Sequence, residues 1–169
     1  MWELYTFWAF VPLLLATYQQ RHPAVAVPVA ALAFLLLAAG APACVASGFV
    51  AQRLGSWRTA RLALWISGSC CVLSPGLFWL PLPAFVAVLL VWSMAVVADS
   101  PQLSALVAQQ APAASKGTAL TLVTCLGFAL TIVSLQGFAV LQRLVEPQFL
   151  FLLLAPGPLL GLLATRRTH

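Results

Sequence analysis

Only three acidic side chains occur in 169 residues, and two of them, Glu3 and Asp99, fall inside long apolar runs. An ionisable group in such a run is expensive to bury and marks a proton or substrate site by default. Asp99 has the polar neighbours Ser100, Gln102 and Ser104, with Pro101 loosening the backbone. By helical rise it stands about 15 Å from the polar break at Gln109. It is expected to bind a proton or a polar substrate, the alternative being a plain helix–helix hydrogen-bond acceptor. Gln136, near the outer third of a later run, is a further cavity candidate, whereas Glu146 lies between runs and reads as a solvated charge. Glu3 has two readings. For the chain as it begins at Met1, it is an interfacial acid in an aromatic belt with Trp2 and Tyr5. Were the first run to extend further back, Glu3 would lie deeper and face a central cavity.

Other chemistries find no residues to carry them. A serine-type intramembrane protease needs a serine in a Gly-x-Ser setting and a histidine within the membrane. No Gly-x-Ser triplet occurs, and the histidines are His22, in a polar break, and His169, at the tail. An aspartyl site needs a pair, but Asp99 is the sole aspartate. Cys44, Cys70, Cys71 and Cys125 sit in apolar runs without a C-x-x-C pair or a nearby histidine, so they read as small hydrophobes rather than metal ligands. No enzyme activity, metal or cofactor is expected.

The elements that must position these residues follow from composition. The chain is 63% hydrophobic and 7% charged, with a mean hydropathy of +1.03. Soluble domains run near 45–50% apolar and about 25% charged, so this is an all-α polytopic membrane protein whose first partner is the lipid bilayer. A barrel is excluded because the apolar residues form unbroken runs without alternation. Six spans are expected at approximately 1–18, 25–50, 62–80, 84–108, 118–141 and 147–165, forming a single domain over 1–169. Of the eight basic residues, Arg53, Arg58, Arg61, Lys116, Arg166 and Arg167 fall on one side, and Arg21 and Arg143 on the other. The positive-inside rule places the richer side, with both termini, in the cytoplasm. The net charge of +5 thus reports orientation, and no nucleic-acid partner is expected.

Prolines at 28, 42, 75, 101, 156 and 158 are expected to kink or bound the spans. Small residues at helical spacing, Gly40-Cys44-Gly48, Gly127-Thr131 and Gly157-Gly161, predict closely packed helix faces. Between the second and third runs lies the cationic stretch Gly48-Phe-Val-Ala-Gln-Arg-Leu-Gly-Ser-Trp-Arg-Thr-Ala-Arg61. Gly48 is expected to end a closely packed helix, with Ala51–Arg61 forming a polar connection. Arg53 and Gly55 would turn the chain, and Arg58 and Arg61 would begin the next helix at the headgroups. On spacing alone this is equally a positively charged turn obeying the inside rule.

The spacing also resembles the loop motif G-x-x-x-D-R-x-G-x-R/K-R/K of the major facilitator superfamily of transporters. Gly48, Arg53, Gly55 and Arg58 match, while Gln52 stands at the acidic position and Trp57 at a basic one. In that family the acid and arginines link neighbouring helix ends, so without the acid Arg53 is expected to act mainly as an anchor. Met1-Trp-Glu-Leu-Tyr-Thr-Phe-Trp-Ala-Phe-Val-Pro12 resembles the seventh helix of a bacterial branch of the superfamily. Ala98–Val107 and Lys116–Thr121 resemble the end of helix ten and the start of helix eleven. The resemblance implies the carboxy-terminal six-helix half of a twelve-helix secondary carrier in the bacterial inner membrane, moving an unidentified small molecule by alternating access, coupled to a proton or ion gradient. It further implies a separate amino-terminal half, or a second copy, as partner. The first run lacks a Lys or Arg at its inner end, and the resemblance predicts residues before it, so a chain truncated inside its first span is expected. The competing reading is a non-transporting remnant or assembly partner.

Overall fold

Apolar runs of this length must satisfy their own backbone in lipid, and they do so as helices. The computed structural model describes residues 2–164, with no strand among them. The α-helices are α1 (Trp2–Arg21), α2 (Val29–Ala38), α3 (Gly40–Leu54), α4 (Ser56–Leu73), α5 (Leu82–Gln110), α6 (Lys116–Leu141), α7 (Pro147–Leu150) and α8 (Pro156–Ala164). Short 3-10 turns cover Ser74–Trp79, Ala113–Ser115 and Phe151–Leu154. Five helical stretches are long and apolar enough to cross a membrane: Val29–Leu54, Ser56–Trp79, Leu82–Gln110, Ala113–Leu141 and Pro147–Ala164. Helix α1 has 20 residues, but Glu3, Gln19, Gln20 and Arg21 dilute its apolar content. The six expected spans therefore become five of that kind plus the more polar α1.

Helix α1 occupies the middle of the bundle. Phe7, Val11, Leu15 and Tyr18 on it are fully or almost fully buried. The Phe7 ring lies 4.8 Å from Trp92 of α5, and Tyr18 stacks at 4.3 Å on Phe85 of the same helix. Tyr18 Oη donates to the Leu80 carbonyl (2.8 Å), and Thr6 and Ser134 share a 2.5 Å hydrogen bond that ties α1 to α6. Glu3, Thr6 and Thr17 on this helix are thus buried among its neighbours, as the cost of exposing polar groups to lipid requires.

Prolines explain the interruptions. Pro42 lacks the N–H that would bond Ala38, and the ladder breaks at Ala39, between α2 and α3. There the Leu36 carbonyl accepts from Ser93 Oγ at 2.5 Å. Pro75 opens the 3-10 turn after α4, and Pro156 begins α8.

The cationic stretch differs from expectation. Helix α3 continues to Leu54 and α4 starts at Ser56, so the break is Gly55 alone rather than a connection over 51–61. Gly55 has φ 85° and ψ 147°, a backbone region essentially reserved for glycine. Arg53 belongs to the last turn of α3, and Arg58 and Arg61 to the start of α4. Gly48 does not end a packed helix, since a Cβ there would meet nothing within 4 Å. Close packing does involve the other glycines expected for it: a Cβ on Gly40 would come 2.9 Å from Val97, on Gly157 3.1 Å from Trp2 and on Gly161 3.0 Å from Leu64.

Contacts fix the directions of the helices. Leu36 meets Ser93 and Ser47 meets Gln102, so α3 and α5 run parallel and Gly55 and Gln110 leave at the same end. At the other end Arg21 donates to Gln148 Oε1 (2.6 Å) and lies 5.1 Å over the Phe78 ring. Arg53, Arg58 and Arg61 are therefore opposite Arg21 in the bundle, while Arg166 and Arg167 lie outside the described residues.

Candidate functional site

Glu3 sits in the first turn of α1 and is 7% exposed. Its Oε1 accepts from Ser67 Oγ and from Cys71 Sγ (3.3 Å) on α4, and from Trp92 Nε1 (3.1 Å) on α5. Ser67 and Cys71 are one helical turn apart, so a single face of α4 presents both donors. Depth follows from the same partners. Ser67 stands about 16 Å along α4 from Ser56, and Trp92 about 15 Å along α5 from Leu82, at opposite ends of the bundle. The Glu3 carboxyl is thus near the middle of the bundle's length. The interfacial position expected for it in this chain is corrected: no aromatic belt surrounds the carboxyl, which is enclosed by three helices.

Asp99 is half-buried on α5, where its Oδ1 accepts from Ser100 Oγ (3.1 Å). It stands two helical turns, about 10 Å, along α5 from Trp92, the residue that donates to Glu3, so two acids separated by most of the sequence are served by one helix. Of the polar neighbours expected around Asp99, Gln102 turns the other way, donating its amide to Ser47 Oγ on α3 at 3.3 Å. Ser100 and Ser104 instead line a cavity of about 460 Å³ between α5, α6 and α8. Thr124 and Gly127 form its α6 wall and Trp2 its end. The Trp2 indole N–H is buried without a hydrogen-bond partner. The cavity is mostly apolar, with hydroxyls on two sides, and it lies beside the Glu3–Asp99 pair.

Gln136 does not join this cluster. It is exposed on α6, on the face away from Thr131, Ser134 and Phe138, which pack inward. Glu146 is exposed and accepts from Gln148, a local bond in keeping with a solvated charge. In the cationic stretch, Gly48 is half-buried and Gln52, Arg53, Gly55 and Arg58 are exposed.

Sequence reasoning missed Ser67, Cys71 and Trp92 as partners of Glu3, and read Cys71 as filler. The i, i+4 spacing of Ser67 and Cys71 was a visible signal, but nothing local connects it to a residue at the other end of the chain. Among the described residues, no group of three His, Cys, Asp or Glu could hold a metal ion. Hydrogen-bond donors converging on one buried carboxyl can hold it in a fixed orientation while it gains or loses a proton. Comparison with known protein families, curated proteins and solved structures finds no match for this chain.

Proposed function

We propose that this chain is a six-helix half of a secondary carrier of the major facilitator type, in which Glu3 exchanges a proton during transport. The observation that carries the reading is the Glu3 carboxyl at mid-depth of the helix bundle, held by Ser67, Cys71 and Trp92. A carboxyl placed there without a function would be a costly ornament, because intramembrane acids serve proton and substrate pathways. The neighbouring cavity lined by Ser100, Ser104 and Thr124 supplies a place for a small solute. In such carriers the site lies near the midplane between two repeats, and rocking of the halves alternates access. Gly55, with its glycine-only backbone, and Arg53 and Arg58 beside it are in keeping with the loop motif of that superfamily.

On this reading the chain works with a separate amino-terminal half or a second copy, resides in a bacterial inner membrane and has both ends in the cytoplasm. Asp99 lies on the path between Glu3 and the cytoplasmic end and relays the proton, while the hydroxyls of Ser100 and Ser104 contact the solute.

Cysteine accessibility tests the proposal without knowledge of the substrate. Ser104→Cys is placed in a chain whose exposed Cys44 and Cys125 are replaced by alanine. A water-soluble maleimide is expected to label it in membranes, with a pH dependence that exceeds ordinary thiol ionisation in the parent and matches it in Glu3→Gln. Absence of labelling would make the cavity a lipid-filled gap. The same pH dependence in both chains would remove Glu3 from the mechanism.

A further inference from the structure

Two grooves meet at the outer surface of the α3–α4 pair. One, of about 290 Å³, is bounded by Ala43, Ala46 and Val50 of α3, Ala63 of α4, and Ala95 and Ala98 of α5. The alanines leave a slot where larger side chains would have closed the surface. The slot runs about 10 Å along α3, from Ala43 to Val50. Its hydroxyls are both occupied: Ser47 Oγ donates to the Cys44 carbonyl (2.9 Å) and Thr59 Oγ1 to the Gly55 carbonyl (3.0 Å). An occupant of this slot is therefore apolar.

The second groove, of about 320 Å³, is bounded by Phe49, Val50, Gln52 and Arg53, and it shares Val50 with the first. Its setting is cationic. Arg53 and Arg58 are exposed and Arg61 half-buried, and none of the three has a hydrogen bond or ion pair among the described residues. At the opposite end Arg21 is engaged by Gln148 and Phe78, while Arg143 is exposed three residues before Glu146. No acid balances the three: Glu3 is at mid-depth, Asp99 is half-buried in α5, Glu146 is at the Arg21 end, and Gln52 is neutral. An apolar slot aligned with the helices thus opens, at the end of the bundle, onto uncompensated guanidinium groups.

We propose that these joined grooves bind one anionic phospholipid, with an acyl chain in the alanine slot and the phosphate against Arg53 and Arg58. Guanidinium pairs with phosphate in a bidentate, charge-assisted manner, and each basic residue at a membrane surface raises anionic-lipid affinity by about fivefold. The site stands apart from Glu3 and from any transported solute. A zwitterionic lipid would fill the slot equally well and carries the same phosphate, but its tethered cation cancels much of the attraction to the arginines, so selectivity for the net charge of the headgroup distinguishes a site from ordinary solvation by lipid.

The full chain, purified in detergent doped with phosphatidylglycerol or with phosphatidylcholine of the same acyl chains, is examined by native mass spectrometry. One phosphatidylglycerol is expected to be retained, at least about fivefold more than phosphatidylcholine. The double variant Arg53→Gln, Arg58→Gln is expected to abolish that preference. Ala46→Leu, at an exposed position that leaves the interior intact, is expected to reduce retention of both lipids. Excess inorganic phosphate is expected to displace neither. Equal retention of the two lipids, a preference that survives loss of both arginines, retention unaltered by Ala46→Leu, or displacement by inorganic phosphate would each overturn the proposal.

Discussion

At the scale of single residues, Glu3 dominates because several groups depend on it. Its Oε1 is the acceptor for the Ser67 hydroxyl and the Trp92 indole N–H, both buried. Glu3→Ala would strand those donors in a layer without water, at a cost of about 1–3 kcal/mol for each group left unsatisfied. Glu3→Gln retains a carbonyl oxygen in nearly the same place, so its effect on stability is expected to be much smaller. Unfolding in detergent, followed by loss of helical signal, separates the two; an Ala variant as stable as the parent would mean that the network contributes nothing. Tryptophan emission offers a second readout. The change in emission with pH is expected to vanish in Trp92→Phe if that indole is the one reporting on Glu3. Glu3 and Asp99 stood out in the sequence as candidates, because acids are conspicuous in apolar runs. The partners of Glu3 were not legible there, since Ser67, Cys71 and Trp92 lie 64 to 89 positions away, and only the placement of the first turn of α1 against the α4–α5 pair brings them together.

At the scale of elements, the glycines separate backbone need from packing need. Gly55 alone among the described glycines has a positive φ. Gly55→Ala is therefore expected to cost about 1–3 kcal/mol from backbone strain, although a Cβ there meets no neighbour. Gly161→Val acts by the other route, forcing bulk against Leu64 at a gap where even a Cβ lies at 3.0 Å. Overpacking of that kind costs about 1–3 kcal/mol. Gly48→Ala is expected to be neutral or slightly stabilising, because its helical site is open and glycine weakens a helix by roughly 0.5–1 kcal/mol. Midpoints of thermal unfolding for the three variants, measured side by side, check this ordering, and a destabilised Gly48→Ala would contradict the open surface seen there. These helices were largely legible because polar residues punctuate the apolar runs. The 51–61 stretch was misjudged because polarity was taken for irregularity, although Gln, Arg, Leu and Ala are good helix formers. Once Gly55 alone reverses the direction, the flanking residues can remain helical. The expected role of Gly48 failed for a related reason, since small-residue spacing does not reveal which face meets a neighbour.

At the scale of the whole molecule, the bundle has two unlike ends. One carries Arg53, Arg58 and Arg61 around Gly55 and the exit of α5 at Gln110, and the other carries Arg21, Gln148 and the turn after α6. Leu144, in that turn, and Gln52, near Gly55, are both exposed and thus accessible to a reagent. Leu144→Cys and Gln52→Cys, each in a chain lacking the exposed Cys44 and Cys125, are expected to react with an impermeant maleimide from opposite sides of a sealed membrane. On the proposed orientation, with the basic end in the cytoplasm, intact cells are expected to label the Leu144 variant and spare the Gln52 variant until the membrane is opened. Labelling of both from outside would contradict the helix directions, since the parallel α3 and α5 and the Arg21–Gln148 contact set the two turns at opposite ends of the bundle. The reverse pattern would leave the bundle unchanged but invert it in the membrane. Arg53 and Arg58 would then face the outer leaflet, and a proton entering from the cytoplasm would reach Glu3 from the Tyr18 end of α1, without passing Asp99.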